Sequence, residues 1–185
     1  MPLLALLVTL ISACAATAGP ATKPRLVEVQ GHEVEPPSLD VMWEGAVAVV
    51  RGRVIRTQPQ LSKTSSSQSV VTEIRMHVDE VLKGQLTGGE ITIHQLAGQV
   101  TQDGVTVRQV GVEPLAPGSE YVVFLGWNRY LSRWMVRGSS GVFELHQSGV
   151  RPFGKAKFIE RLRNQSVPLF IDDLRRIARA HGRQQ

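Results

Sequence analysis

The residues of this chain able to do chemistry are five histidines, a single cysteine, a few adjacent carboxylates and a serine pair between glycines. The histidines are His32, His77, His94, His146 and His181. None has a second ligand at zinc-site spacing, since neither H-x-x-x-H nor C-x-x-C occurs. His77 and His94 fall at alternate, polar positions of strand-like runs and are expected at the solvated surface. Gly138-Ser139-Ser140-Gly141 lacks the G-x-S-x-G spacing of a nucleophile elbow, so a hairpin turn is expected there. Gly84 to Gly89 lacks the G-K-[ST] ending of a phosphate loop. Asp79 and Glu80 are neighbours on a strand and point to opposite faces, so they cannot flank one scissile bond. Asp172 and Asp173 sit where a helix dipole favours acids. No catalytic constellation emerges, and the expectation is a non-enzyme without cofactor or metal.

Two other groups stand out. Arg129, Tyr130, Arg133 and Trp134 alternate cations with aromatic rings and form a candidate ligand platform. Tyr121, Phe124 and Trp127, by contrast, lie in an apolar run (YVVFLGW) and are expected in the core. Cys14 follows a nine-residue, largely apolar run, Leu3 to Ile11, too short to span a bilayer. That arrangement predicts an export signal over residues 1–18, with two readings of its end. Cleavage after Ala16-Thr17-Ala18 discards Cys14, whereas Ile11-Ser12-Ala13-Cys14 resembles a lipobox, in which Cys14 would be acylated and anchor the chain. Met1-Pro2 supplies no positive n-region, so the reading frame is expected to begin further upstream.

The elements that would position these residues are mostly strands. Ala46 to Val54 alternates Ala46, Ala48, Val50, Gly52 and Val54 with Val47, Val49, Arg51 and Arg53. Val70 to Val78 does the same, with Thr72, Ile74 and Met76 on the apolar face and Glu73, Arg75 and His77 on the other. Each pattern predicts an antiparallel strand with one buried and one partly wet face. Slipping the second by one residue would bury its charges, so its register is well specified. Gly52 predicts a bend or close backbone approach. Thr57 to Ser69 contains Pro59 and five serines without periodicity and is expected to be a solvated hairpin loop.

Before this pair, residues 19–37 read as an extended leader with an edge strand through Leu26 to Val29, and Ser38 offers an N-cap for a short helix carrying Leu39, Met42 and Trp43. After it, Glu90 to Gln95, Thr101 to Val112 (with Asp103-Gly104 as its turn), Tyr121 to Trp127, Arg133 to Arg137 and Gly141 to Leu145 complete the strands. Pro168 begins an amphipathic helix with Phe170, Ile171, Leu174 and Ile177 on one face, ended by Gly182. It is expected over the strands or over their open end. The domain limits that follow are 38–150 for a small β-barrel and 151–185 for a basic connector and helix.

The net charge of +5 is a property of that last segment. Residues 151–185 hold nine Lys or Arg against three acids, whereas the rest holds twelve against thirteen. Contact with anionic lipid or another polyanion is therefore expected through the C-terminal region, and no specific nucleic acid. One cysteine permits no intrachain disulfide, so stability must come from an apolar core.

Four runs carry a resemblance: AVAVVRGRV from Ala46, VDEVLKG from Val78, LAPGSEYVVFL from Leu115 and GSSGVFEL from Gly138. Together they resemble the bacterial exported domains of the netrin-like class, which share an OB barrel with the tissue inhibitors of metalloproteinases. The likeness covers roughly Ser38 to Leu145. It implies a mainly β, OB-type antiparallel barrel with a short helix before the first strand and a C-terminal amphipathic helix. The animal inhibitors ligate zinc through a free N-terminal cysteine braced by disulfides, and this chain has neither, so that mechanism is not carried over. The expected function is an exported (periplasmic, secreted or lipid-anchored) binding module whose partner is an envelope protein or protease. A protease-inhibitor-like domain acting through Thr57 to Ser69, and an oligonucleotide or polysaccharide binder, are the alternatives.

Overall fold

A computed structural model of the chain describes residues 25–30, 35–63 and 68–182. The export signal, Cys14 and His32 lie outside the described residues. The described residues are mainly β, in two sheets. The chain enters as β1 (Arg25–Gln30) and makes a short helix α1 (Leu39–Gly45), whose first turn is capped by the Ser38 hydroxyl accepting from the Val41 amide at 3.2 Å. It continues through two long strands, β2 (Ala48–Lys63) and β3 (Gln68–Lys83), then β4 (Glu90–Gln95) and the hairpin of β5 (Gly98–Gln102) and β6 (Val105–Val110). Strands β7 (Glu120–Asn128), β8 (Arg133–Val136), β9 (Val142–His146) and β10 (Gly149–Pro152) follow. Helices α2 (Lys157–Glu160) and α3 (Val167–Gly182) end the chain. No helix among the described residues is long and apolar enough to cross a membrane.

The larger sheet has the order β10-β9-β7-β2-β3-β4-β8, and β8 pairs a second time with β7. Its ladders are antiparallel apart from β4–β8, which is parallel. The smaller sheet has the order β1-β6-β5, with β1 parallel to β6.

Three expectations are corrected. Thr57 to Ser69 is not a loop: β2 and β3 stay paired from Thr57↔Ile74 to Lys63↔Gln68, leaving only 64–67 outside the described residues. From Thr57 to Ser62 the β2 half of this ribbon has no buried side chain to report it, so main-chain bonds to β3 hold it, and Pro59 is tolerated because β2 there has lost its second neighbour, β7. Gly138-Ser139-Ser140-Gly141 is not a hairpin turn either. Strands β8 and β9 both run antiparallel to β7, at Leu125–Asn128 and Glu120–Val123 respectively, and a single 3-10 turn separates them. Finally, β2 is buried on both faces at its start, since Val49, placed on the wetter face by alternation, is as inaccessible as Ala48 and Val50.

The second burial has a clear source. On one side of the larger sheet, Ala48, Val50, Ile74, Met76, Ile93 and Tyr121 form an inner core. On the other, Val49, Val122, Phe124 and Phe143 meet Trp43 of α1, Ile159 of α2 and Phe170 and Leu174 of α3. The Phe143 and Phe170 rings lie 4.9 Å apart. Helix α3 thus covers the outer face of the sheet and not an open end. The bend at Gly52 is borne out: a Cβ there would lie 2.0 Å from the His77 carbonyl oxygen, and the β2–β3 register shifts between Arg51 and Gly52.

Candidate functional site

The β7–β8 turn holds the expected platform. Asn128 Oδ1 accepts from the amides of Tyr130 and Leu131, both at 3.1 Å, and Ser132 takes a positive φ of 49°. The turn is thereby fixed with Tyr130 fully exposed and Leu131 half exposed. Trp134 is half-buried against the inner core, and Trp127 meets it edge-on with centroids 5.0 Å apart. Trp127, expected in the core, is 43% exposed, because β7 runs past the covered part of the sheet. Arg129 and Arg133 are exposed on the same turn.

The histidines divide differently from expectation. His77 is exposed, 3.6 Å from Asp79. His94 is not a solvated residue: its side chain is 12% exposed, and Nδ1 is buried without a hydrogen-bond partner. Burial holds its pKa below the usual imidazole range; the nearby Arg133 charge adds to this, against smaller opposing effects of the Trp134 backbone and Glu73. The reason it was missed is geometric, since β8 pairs beside β4 at His94↔Met135 and covers what alternation alone marks as a wet position.

Sequence reasoning also passed over Glu144, on the outward run of β9, whose side chain is only 6% exposed. It accepts from Arg151 Nε at 2.7 Å and lies 3.0 Å from His146 Nε2. The Tyr121 hydroxyl donates to it at 3.4 Å and accepts from the Ala116 amide at 2.9 Å. Arg151 reaches on to Glu113 at 3.0 Å and lies over the Phe153 ring, 4.7 Å from its centroid. These bonds tie the 113–121 segment to β9 and β10, which makes the cluster a structural knot.

The loop that this knot pins, through Glu113 to Pro117, forms one wall of a cleft of ≈ 800 Å³ between the two sheets. Gln95, wholly buried, braces the same wall by donating to the Glu113 carbonyl at 3.1 Å and accepting from the Leu115 amide at 3.2 Å. Prolines and Phe153 give the cleft apolar patches, Arg108 and Lys155 add positive charge, and Glu113, paired with Arg151, adds a carboxylate. Gln109 lines it too; it is 5% exposed and its Oε1 has no hydrogen-bond donor.

The basic C-terminal region is less available than its charge suggests. Arg175 bonds Glu80 on β3 at 2.9 Å and lies 3.4 Å from Asp172, Arg176 pairs with Asp173, and Arg163 with Glu160 at 2.9 Å. Among the described residues, no group of three or more His, Cys, Asp or Glu is placed to hold a metal ion. No known family model matches the chain, and no curated protein matches it.

Proposed function

We propose that this chain is an exported binding module of the bacterial envelope, built on an OB-type barrel of the netrin-like class and acting without catalysis. Support for the barrel comes from the pairings. The ladders β2-β3-β4-β8-β7 return to β2, so the five strands run in the order first, second, third, fifth, fourth, with the third and fifth parallel. A five-stranded OB barrel has no free edge within such a circuit.

The observation carrying the binding function is the inter-sheet cleft. Its apolar patches, the cations Arg108 and Lys155 (the lining carboxylate Glu113 being already paired with Arg151), and the donor-lacking Gln109 suit an extended acidic polypeptide. Aliphatic side chains of such a segment would fill the walls, its carboxylates would meet the cations, and a backbone N–H would satisfy Gln109 once the amide turns outward. A loop-borne inhibitor has less to stand on, because most of its loop is paired strand.

Photocrosslinking in intact bacterial envelopes tests this. A benzophenone side chain replacing Gln99, on the cleft, is expected to capture one partner polypeptide, and the same group replacing Arg179 on α3 to capture none. Equal capture from both positions, or none from the cleft, would overturn the assignment.

A further inference from the structure

From Tyr121 to Phe143 the chain contains three arginines and no Asp or Glu. Arg137 is committed, donating to the Gly45 carbonyl at 2.5 Å. Arg129 and Arg133 flank the β7–β8 turn, and among the described residues neither is in an ion pair, whereas Arg151, Arg163, Arg175 and Arg176 all are. Between them project Tyr130, 100% exposed, and Leu131, 53% exposed, above the Trp127–Trp134 pair. Displaying this much apolar surface on a turn stiffened by Asn128 needs a reason.

Three kinds of surface recognise aromatic and cationic side chains together. A stable protein interface buries about 800 Å² on each partner, more than a four-residue turn tip presents. Stacking of nucleobases needs several open ring faces side by side, and here Trp134 is half-buried and met edge-on by Trp127, which leaves Tyr130 and part of one indole with no flat platform between them. A bilayer surface has neither requirement. Tyrosine and tryptophan settle at headgroup level, leucine reaches the acyl boundary, and arginine meets lipid phosphate, each contributing separately.

We propose that the β7–β8 turn is a contact for an anionic membrane surface, with Tyr130 and Leu131 entering the headgroup boundary and Arg129 and Arg133 on the lipid phosphates. This site is independent of the cleft. It also moves the lipid contact from the C-terminal helix, where acids already meet Arg175 and Arg176, to a tip whose two arginines meet none.

The test uses the full chain with Cys14→Ser, which removes acylation, and Leu131→Cys carrying the environment-sensitive dye NBD. Vesicles of phosphatidylcholine with about one third phosphatidylglycerol are expected to raise and blue-shift the emission, and phosphatidylcholine alone to leave it unchanged. The same dye at Arg179→Cys should stay silent. Replacing both Arg129 and Arg133 by Gln should weaken binding about thirty-fold, at about one kcal/mol per arginine, without moving the melting temperature. Tyr130→Ser in the Cys14→Ser chain should reduce co-sedimentation with the anionic vesicles. Sedimentation with a silent Leu131 dye would overturn the proposal, as would no binding. So would displacement of the dye-labelled chain from vesicles by a stoichiometric amount of oligothymidine, which would make the tip a base-stacking site.

Discussion

Glu144 and His94 sit on opposite sides of the same problem, a titratable group taken out of water. Burial would push Glu144 up; the hydrogen bonds from Arg151, Ser119 and His146 outweigh it and hold the carboxyl below the usual carboxylate range. Its contribution is therefore complete above the unfolded value of about 4.3 and is lost as pH falls through the lower folded one. Glu144→Gln should cost about 2 kcal/mol at neutral pH and flatten the acid limb of stability, as urea unfolding at neutral and acid pH would show. For His94 the opposing effects of the Trp134 backbone and Glu73 are too small, and burial, with Arg133 nearby, holds its pKa below the usual imidazole range. The unfolded chain takes up its proton near about 6.5, so His94 lets stability fall as pH drops from there toward the folded value. His94→Leu should remove that slope from melting curves between about pH 7 and 5.5, and an unchanged slope would show that another group produces it.

At the scale of elements, the legible strands are those whose side chains alternate into the inner core. Val70, Thr72, Ile74 and Met76 are all buried as the pattern predicts, and the buried run Tyr121 to Leu125 becomes β7. Strand β10 and the Thr57–Lys63 extension of β2 were not legible. The first is too short to show a period, and the second is held by main-chain bonds to β3, which no side-chain pattern reports. Helix α3 was read correctly as amphipathic, but its seat depended on a second apolar face of the sheet that alternation hides. Because Phe170 is inaccessible and packs against Phe143, Phe170→Ala should cost about 3 to 4 kcal/mol in urea unfolding. A much smaller loss would mean that α3 is only loosely held.

The molecule as a whole makes surfaces that none of its elements contains. The cleft exists because β5 and β6 turn away into a second sheet with β1, leaving Gln109 of β6 facing the loop pinned by Gln95, Tyr121 and Glu144. A buried carbonyl without a donor costs about 1 to 3 kcal/mol, so it weakens the unliganded fold. Gln109→Leu, similar in volume, should raise stability by about 1 kcal/mol while abolishing crosslinking from the cleft. Stability gained with crosslinking intact would separate this acceptor from recognition.

By itself the sequence determined a mainly β chain with the buried face of its inner strands, a Gly52 bend and an amphipathic last helix, because hydrophobic period and backbone sterics act over a few residues at a time. It also marked Arg129, Tyr130, Arg133 and Trp134, since a cluster of cations and rings is visible in any conformation. Only the tertiary structure decided that α3 covers the outer face, that His94 is shielded by β8, and that Arg175 is matched by an acid as distant as Glu80, 95 residues away. Burial and charge pairing depend on what distant segments bring alongside, and no local pattern of residue types carries that information.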